Sequence, residues 1–152
     1  MSASTTSTHS RGPSHGDCKA EQLIEFYKPG DDLTAYVSAD VIGKRCVKIS
    51  GNRQAGPLLN TSVSGGNVTV APADAGGRIF GVAKWDAATG QLVGIARGSK
   101  SVVPIKAAGT ITAFAEVEVG SAGQVVAKSS GVAIGYAITA AASGDDTQIS
   151  LY

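Results

Sequence analysis

From Lys19 to the C-terminus, apolar residues come in short bursts separated by clusters of Gly, Pro, Asp, Ser and Asn. Such bursts, bounded by breakers, predict strands; an amphipathic helix needs a longer segment with a 3.6-residue period. The first burst, 22–27 (QLIEFY), stops at the breaker Lys28-Pro29-Gly30-Asp31-Asp32. Residues 33–42 fit either a strand or one short helical turn. Residues 45–49 alternate as a strand, with Cys46 off the face shared by Val47 and Ile49. Further strands are expected near 67–71, 79–85, 91–96, 102–106, 111–119, 124–127, 132–140 and 147–151, with turn-like separators at 72–77, 86–90, 121–123 and 143–146. Residues 51–66 (GNRQAGPLLNTSVSGG) are polar without a period, which predicts a long loop that is functional or covered by a partner.

Many short strands with no helical segment of any size predict an all-β fold, a small β-barrel or sandwich-like body. Composition agrees: Val and Ile together number 25 against 7 for Leu and Met, and branched side chains suit a pleated surface. Residues 2–16 hold eight Ser or Thr and no aliphatic larger than Ala3. Such a segment cannot bury enough apolar surface to offset its ordering entropy. The chain therefore divides into an extended Ser/Thr-rich N-terminal arm, 1–18, and a β-rich domain, 19–152. Between Ala107 and Gly144 the only charges are Glu116, Glu118 and Lys128, which points to surface hidden against copies of the chain or a partner. Two short echoes stand out, Phe80-Gly-Val-Ala83 with Ile134-Gly-Tyr-Ala137 and Gly90-Gln-Leu-Val93 with Gly123-Gln-Val-Val126. A duplication or chance in a Gly/Ala/Val-rich chain would produce either.

Thirteen Lys and Arg against 12 Asp and Glu give no electrostatic drive toward nucleic acid or an anionic membrane. The longest uncharged apolar stretch, 131–142, falls short of the ~20 residues a membrane span needs. The N-terminus lacks the apolar core of a secretory signal, so synthesis and assembly in a cytoplasm are expected. Cys18 and Cys46 are expected as free thiols there, with pairing left open.

Catalytic chemistry finds little material. Both histidines, His9 and His15, lie in the arm, where a flexible tail cannot hold reacting groups in fixed geometry. Asp31-Asp32 and Asp145-Asp146 sit beside Gly, where Asp caps turn N–H groups. His15 and Cys18 form the only short metal-ligand step, and zinc sites use tighter paired spacings. The stretch 94–101 (GIARGSKS) resembles a phosphate loop but places Ser99 between Gly98 and Lys100 and is followed by strand-like Val102-Val103-Pro104, so a hairpin is expected. Trp85 is expected to anchor a core or a subunit contact. No catalytic, cofactor or metal site is expected, and no nucleotidase or recombinase activity.

The residue strings resemble the small head decoration (cement) proteins of tailed bacteriophages, especially those of phages infecting actinobacteria. The matching strings are Lys28-Pro-Gly-Asp-Asp-Leu-Thr34, Gly43-Lys-Arg-Cys-Val-Lys-Ile49, Gly77-Arg-Ile-Phe-Gly-Val-Ala-Lys-Trp-Asp86, Ala115-Glu-Val-Glu-Val-Gly120, Ile134-Gly-Tyr-Ala137 and Gln148-Ile-Ser-Leu-Tyr152. The resemblance implies a small barrel-like body, commonly a homotrimer, on the outer surface of an icosahedral head. There it clamps neighbouring capsomers once DNA packaging has expanded the shell. The implied partners are the major capsid protein and, through the arm, neighbouring decoration subunits. Capsid contacts are expected at Arg11, Pro13, His15 and Tyr27, and subunit contacts at Trp85, Phe114, Tyr136 and Tyr152. A virion-surface module recognising host carbohydrate is the alternative; sugar sites stack rings on exposed aromatics, and this chain has only eight aromatic residues.

Overall fold

A computed structural model describes residues 32–54 and 67–152. Ten strands follow one another: β1 Leu33–Val37, β2 Cys46–Gln54, β3 Asn67–Pro72, β4 Gly81–Ala83, β5 Leu92–Ala96, β6 Val102–Lys106, β7 Glu116–Val119, β8 Val125–Ala127, β9 Gly135–Ala137 and β10 Asp146–Leu151. The first five close into a barrel in the order β1-β3-β2-β4-β5, and the last five form a second sheet in the order β6-β10-β9-β7-β8.

The two units are the same structure built twice. In the barrel Leu33 faces Ile95, Cys46 faces Val82, Val47 faces Pro72 and Val82 faces Ala96. In the second sheet Val103 faces Ile149, Glu116 faces Tyr136, Val117 faces Ala127 and Tyr136 faces Ser150. Each pair of the second set is the first set moved along the chain, by 70 residues on β1 and β2, by 55 on β3 and by 54 on β4 and β5. The echo Phe80–Ala83 with Ile134–Ala137 lies in this register. The echo Gly90–Val93 with Gly123–Val126 does not, because the structural counterpart of Gly90 is Gly144.

One local device recurs four times. After β1, β4, β6 and β9 the chain makes an isolated antiparallel bridge and a turn. The bridges pair Val41 with Ala87 in the barrel and Ile111 with Ala141 in the second sheet. Each turn carries a residue of positive φ: Lys44 (62°), Gly90 (91°), Phe114 (66°) and Gly144 (93°). That conformation aims the N–H across the unit at a strand-end carbonyl. Lys44 donates to Ala83 (2.8 Å), Gly90 to Val37 (2.8 Å), Phe114 to Ala137 (2.7 Å) and Gly144 to Ala107 (2.8 Å).

Alternation along each strand fills the interiors. Ala35, Val37, Val93 and Ile95 are fully buried in the barrel, and their counterparts Ile105, Ala107, Thr147 and Ile149 are fully buried in the second unit. Gly81 and Gly135 occupy equivalent points where a Cβ would collide with Ile95 or with the Ser150 carbonyl of the neighbouring strand.

The units differ in closure. β1 and β3 pair in parallel over Ala35↔Val68, Tyr36↔Thr69 and Val37↔Val70, whereas β6 and β8 share only the bridge Ala107↔Val125. The barrel fills that opening. Cys46 and Val82, on its outer face, are buried in one cluster with Val103, Ile105, Val119 and Val125. Burial pushes the Cys46 thiol up to about 12. Around this joint the Lys106 N–H donates to the Lys44 carbonyl (3.0 Å) and the Gly76 N–H to that of Val119 (2.8 Å). Asp146 accepts from Lys44 (2.6 Å) and pairs with Lys106 (3.2 Å).

Several expectations change. Within 33–42 only Leu33–Val37 form a strand, β1, followed by a bend and the Val41 bridge, and β2 continues through Gln54, so the predicted loop begins later than Gly51; 55–66 lie outside the described residues. The strand expected over 111–119 is broken by the turn at Phe114 and starts at Glu116, and 79–85 and 132–140 shorten to three residues each at the crossings. Residues 98–101 close a tight turn, Ser101 N–H to Gly98 carbonyl (3.1 Å), but link the two units and are not a hairpin, since β5 and β6 belong to different sheets. Asp146 serves the joint as an ion-pair partner and does not cap a turn. Much of the charge-poor run 107–144 is simply the second interior, including Ile111, Val117, Val119, Val125 and Ile134.

Candidate functional site

On the outer face of the second unit, register aligns Glu116, Tyr136 and Ser150 in a row across β7, β9 and β10. Tyr136 is half-buried there. The Phe114 ring lies parallel to it, with centroids 6.2 Å apart and planes 7° apart. Tyr152, just beyond β10, is tilted against Tyr136, with centroids 6.3 Å apart. Its hydroxyl donates to Glu116 Oε1 (2.7 Å), a bond that raises the phenol's pKa because ionisation would break it beside a carboxylate. Val102 faces Ser150 at the end of the same row and is half exposed.

Phe114 is 83% exposed and Tyr152 56%. Large apolar groups left in water contribute nothing to folding, and Phe114 also sits at φ 66°, which for an L-residue with a Cβ costs about 1 kcal/mol. Glycine holds the equivalent place in two of the other three turns. A strained, exposed aromatic resting on a second aromatic marks this face as a candidate contact surface. Its chemistry is that of apolar contact with the Glu116 carboxylate beside it.

Of the four residues expected at subunit contacts, Phe114, Tyr136 and Tyr152 come together on this face. Trp85 does not. It lies half exposed on the barrel, over Gly94 of β5, where a Cβ would come within 2.8 Å of the indole. Leu92, also half exposed, is on the same side of β5 and pairs with Tyr36 of β1. Sequence reasoning missed Leu92 and Tyr36; the two-residue alternation that buries Val93 and Ile95 would have turned Leu92 outward. Arg11, Pro13, His15 and Tyr27, expected at the capsid, lie outside the described residues, as does Cys18.

The remaining perturbed groups serve structural ties. Glu118 accepts from the Ser129 N–H (2.9 Å) and the Gly131 N–H (2.6 Å), which lower its pKa and hold the 129–131 loop against Gly76. Asp40 is lowered by the Thr89 N–H (2.7 Å) and hydroxyl across the bridged turns.

The head fibre gp8.5 N base of bacteriophage phi29 shares this fold, with a TM-score of 0.61 at 17% identity over 80% of this chain and 93% of that one. No curated protein matches the chain. Residues 28–151 match the phage cement protein family. With most of its length inside that match, the chain belongs to the phage cement proteins, structural components of the phage capsid.

Proposed function

We propose that the protein is a decoration subunit of the outer surface of an icosahedral phage head, where it bridges neighbouring capsomers and stabilises the expanded shell. It acts as a homotrimer and without catalysis. In this proposal the arm, 1–18, reaches the major capsid protein and neighbouring decoration subunits, with Arg11 and His15 as polar anchors, Pro13 stiffening the path and Tyr27 at the shell. The observation that carries it is the match of residues 28–151 to the cement family. The exposed aromatic face supports it, since contact between large rigid surfaces rests on buried aromatic anchors.

The test is addition of purified protein to undecorated heads. Co-sedimentation saturating at a fixed ratio to the major capsid protein, with heads more resistant to heat, is the expected result. Deleting residues 2–17 should leave the β body folded and weaken head attachment at least tenfold. Failure to co-sediment overturns the proposal. So does glycan binding by the isolated protein that is lost in Tyr136→Ala, which would establish the carbohydrate-binding alternative.

A further inference from the structure

The duplication shows what covers such a face. In the barrel, the row equivalent to Glu116–Tyr136–Ser150 is Cys46–Val82–Ala96. That row is not exposed: Cys46 and Val82 are buried, with Ala96 packed beside them, under the second unit of the same chain. The covering contact has a definite chemistry at its rim. Lys44, in the turn of the covered unit, meets Asp146 and Lys106, a cross-strand pair on β10 and β6 of the covering unit.

Each of these three positions has a counterpart not used by the joint. Lys44 corresponds to Phe114, which carries the same positive φ and donates to the equivalent carbonyl. The cross-strand pair Asp146–Lys106 corresponds to Leu92–Tyr36 on β5 and β1. A contact made of three ionic groups inside the chain is therefore mirrored by three apolar ones at the two outer ends, with Phe114 83% and Leu92 50% exposed. Trp85, over Gly94 on the same side of β5 as Leu92, extends the second patch. Complementary replacement on both sides is what two surfaces that meet would show.

We infer that the aromatic face of the second unit docks onto the Tyr36–Leu92 side of the barrel of another copy, reusing between chains the rim positions at which Lys44 meets Asp146 and Lys106 within one, but against the closed wall of the barrel and not into an opening. The contact is head-to-tail: one patch of each copy meets a different patch of the next, so it closes into a ring when the rotation between copies allows. Phe114 of one copy lies against Leu92 and Tyr36 of its neighbour, where Lys44 lies against Asp146 and Lys106. The inference rests on the self-association proposed above and gives it a geometry.

Light scattering on the full chain at micromolar concentration tests it without heads. Wild-type protein should run as an oligomer. Phe114→Asp and Leu92→Asp, both at exposed positions, should each run as monomers with melting curves little changed. Mixed in equal amounts, these two variants should give dimers, because each keeps the patch the other has lost. The double variant Phe114→Lys with Leu92→Asp, which rebuilds the ionic contact of the internal joint, should recover the wild-type mass. A monomeric wild type overturns self-association altogether. An unshifted mass for Phe114→Asp overturns this face alone, and a mixture that stays monomeric shows that the two patches do not meet.

Discussion

The barrel and the second sheet share their strand pairings everywhere but at the closing seam, where the second sheet keeps a single bridge, yet their outer rows are covered differently. At Val82 the barrel carries a small apolar side chain that is 3% exposed, under the neighbouring unit; at Tyr136, the same place in the second sheet, it carries a half-buried aromatic beneath Phe114. The scaffold is indifferent to what stands on its outer row. Core positions answer to the fold and stay small or β-branched in both copies, as where Thr147 replaces Val93, whereas the outer row answers to whatever lies against it.

That difference breaks first under a charge. Val82→Asp places an unpaired carboxylate in the joint and should destabilise by about 3–5 kcal/mol. Tyr136→Asp should lose only ring contacts, about 1 kcal/mol. Urea denaturation below the association concentration measures both, and equal losses would mean that the two rows are not differently covered. The shared scaffold should instead respond alike in both units. Gly81→Ala and Gly135→Ala each force a Cβ into the adjacent strand, with Ala96 O at 2.7 Å in one case and Ile149 Cγ2 at 2.9 Å in the other. Both should lose about 2–3 kcal/mol.

These glycines also show how far the sequence could be read. The all-β class, most strand positions and one of the two echoes follow from Gly-punctuated bursts of Val, Ile and Ala. The duplication as a whole does not, because a two-residue period leaves core positions chemically alike and a strand of three residues too short to align. Its register is further shifted by the longer β2–β3 connection of the barrel. Phe114 was legible as an aromatic but not as a turn residue, since apolar neighbours from Ile111 to Val119 read as one strand and Phe seldom takes a positive φ. Gly90 and Gly144, at equivalent places, announced their turns at once.

The four-fold turn gives a smaller and opposite-signed test. Phe114→Gly should stabilise the isolated chain by about 1 kcal/mol, read as a higher melting temperature, while abolishing association; Gly144→Ala should destabilise it by a similar amount. The least effect is expected from acid. Lys44 and then Lys106, by hydrogen bonding, hold the Asp146 carboxyl below its ordinary range. A depressed folded-state pKa adds stability that is present above the unfolded value, about pH 4, and is lost as pH falls through the folded value. Urea midpoints should therefore drop between pH 5 and pH 2.5 by slightly more in wild type than in Asp146→Asn, and this acid sensitivity should have no counterpart at Leu92.

The crossed bridges Val41↔Ala87 and Ile111↔Ala141 each tie together segments that no local event can bring close. Every strand of the barrel waits on partners from across the sequence, so chain closure must precede most of the reward for it. Topologies of that kind fold slowly, on the order of milliseconds to seconds. The barrier that delays folding also separates the native state from escape, and the bridge within a unit must break before that unit can open. Persistence of the folded subunit is then governed by how fast it can leave the native state.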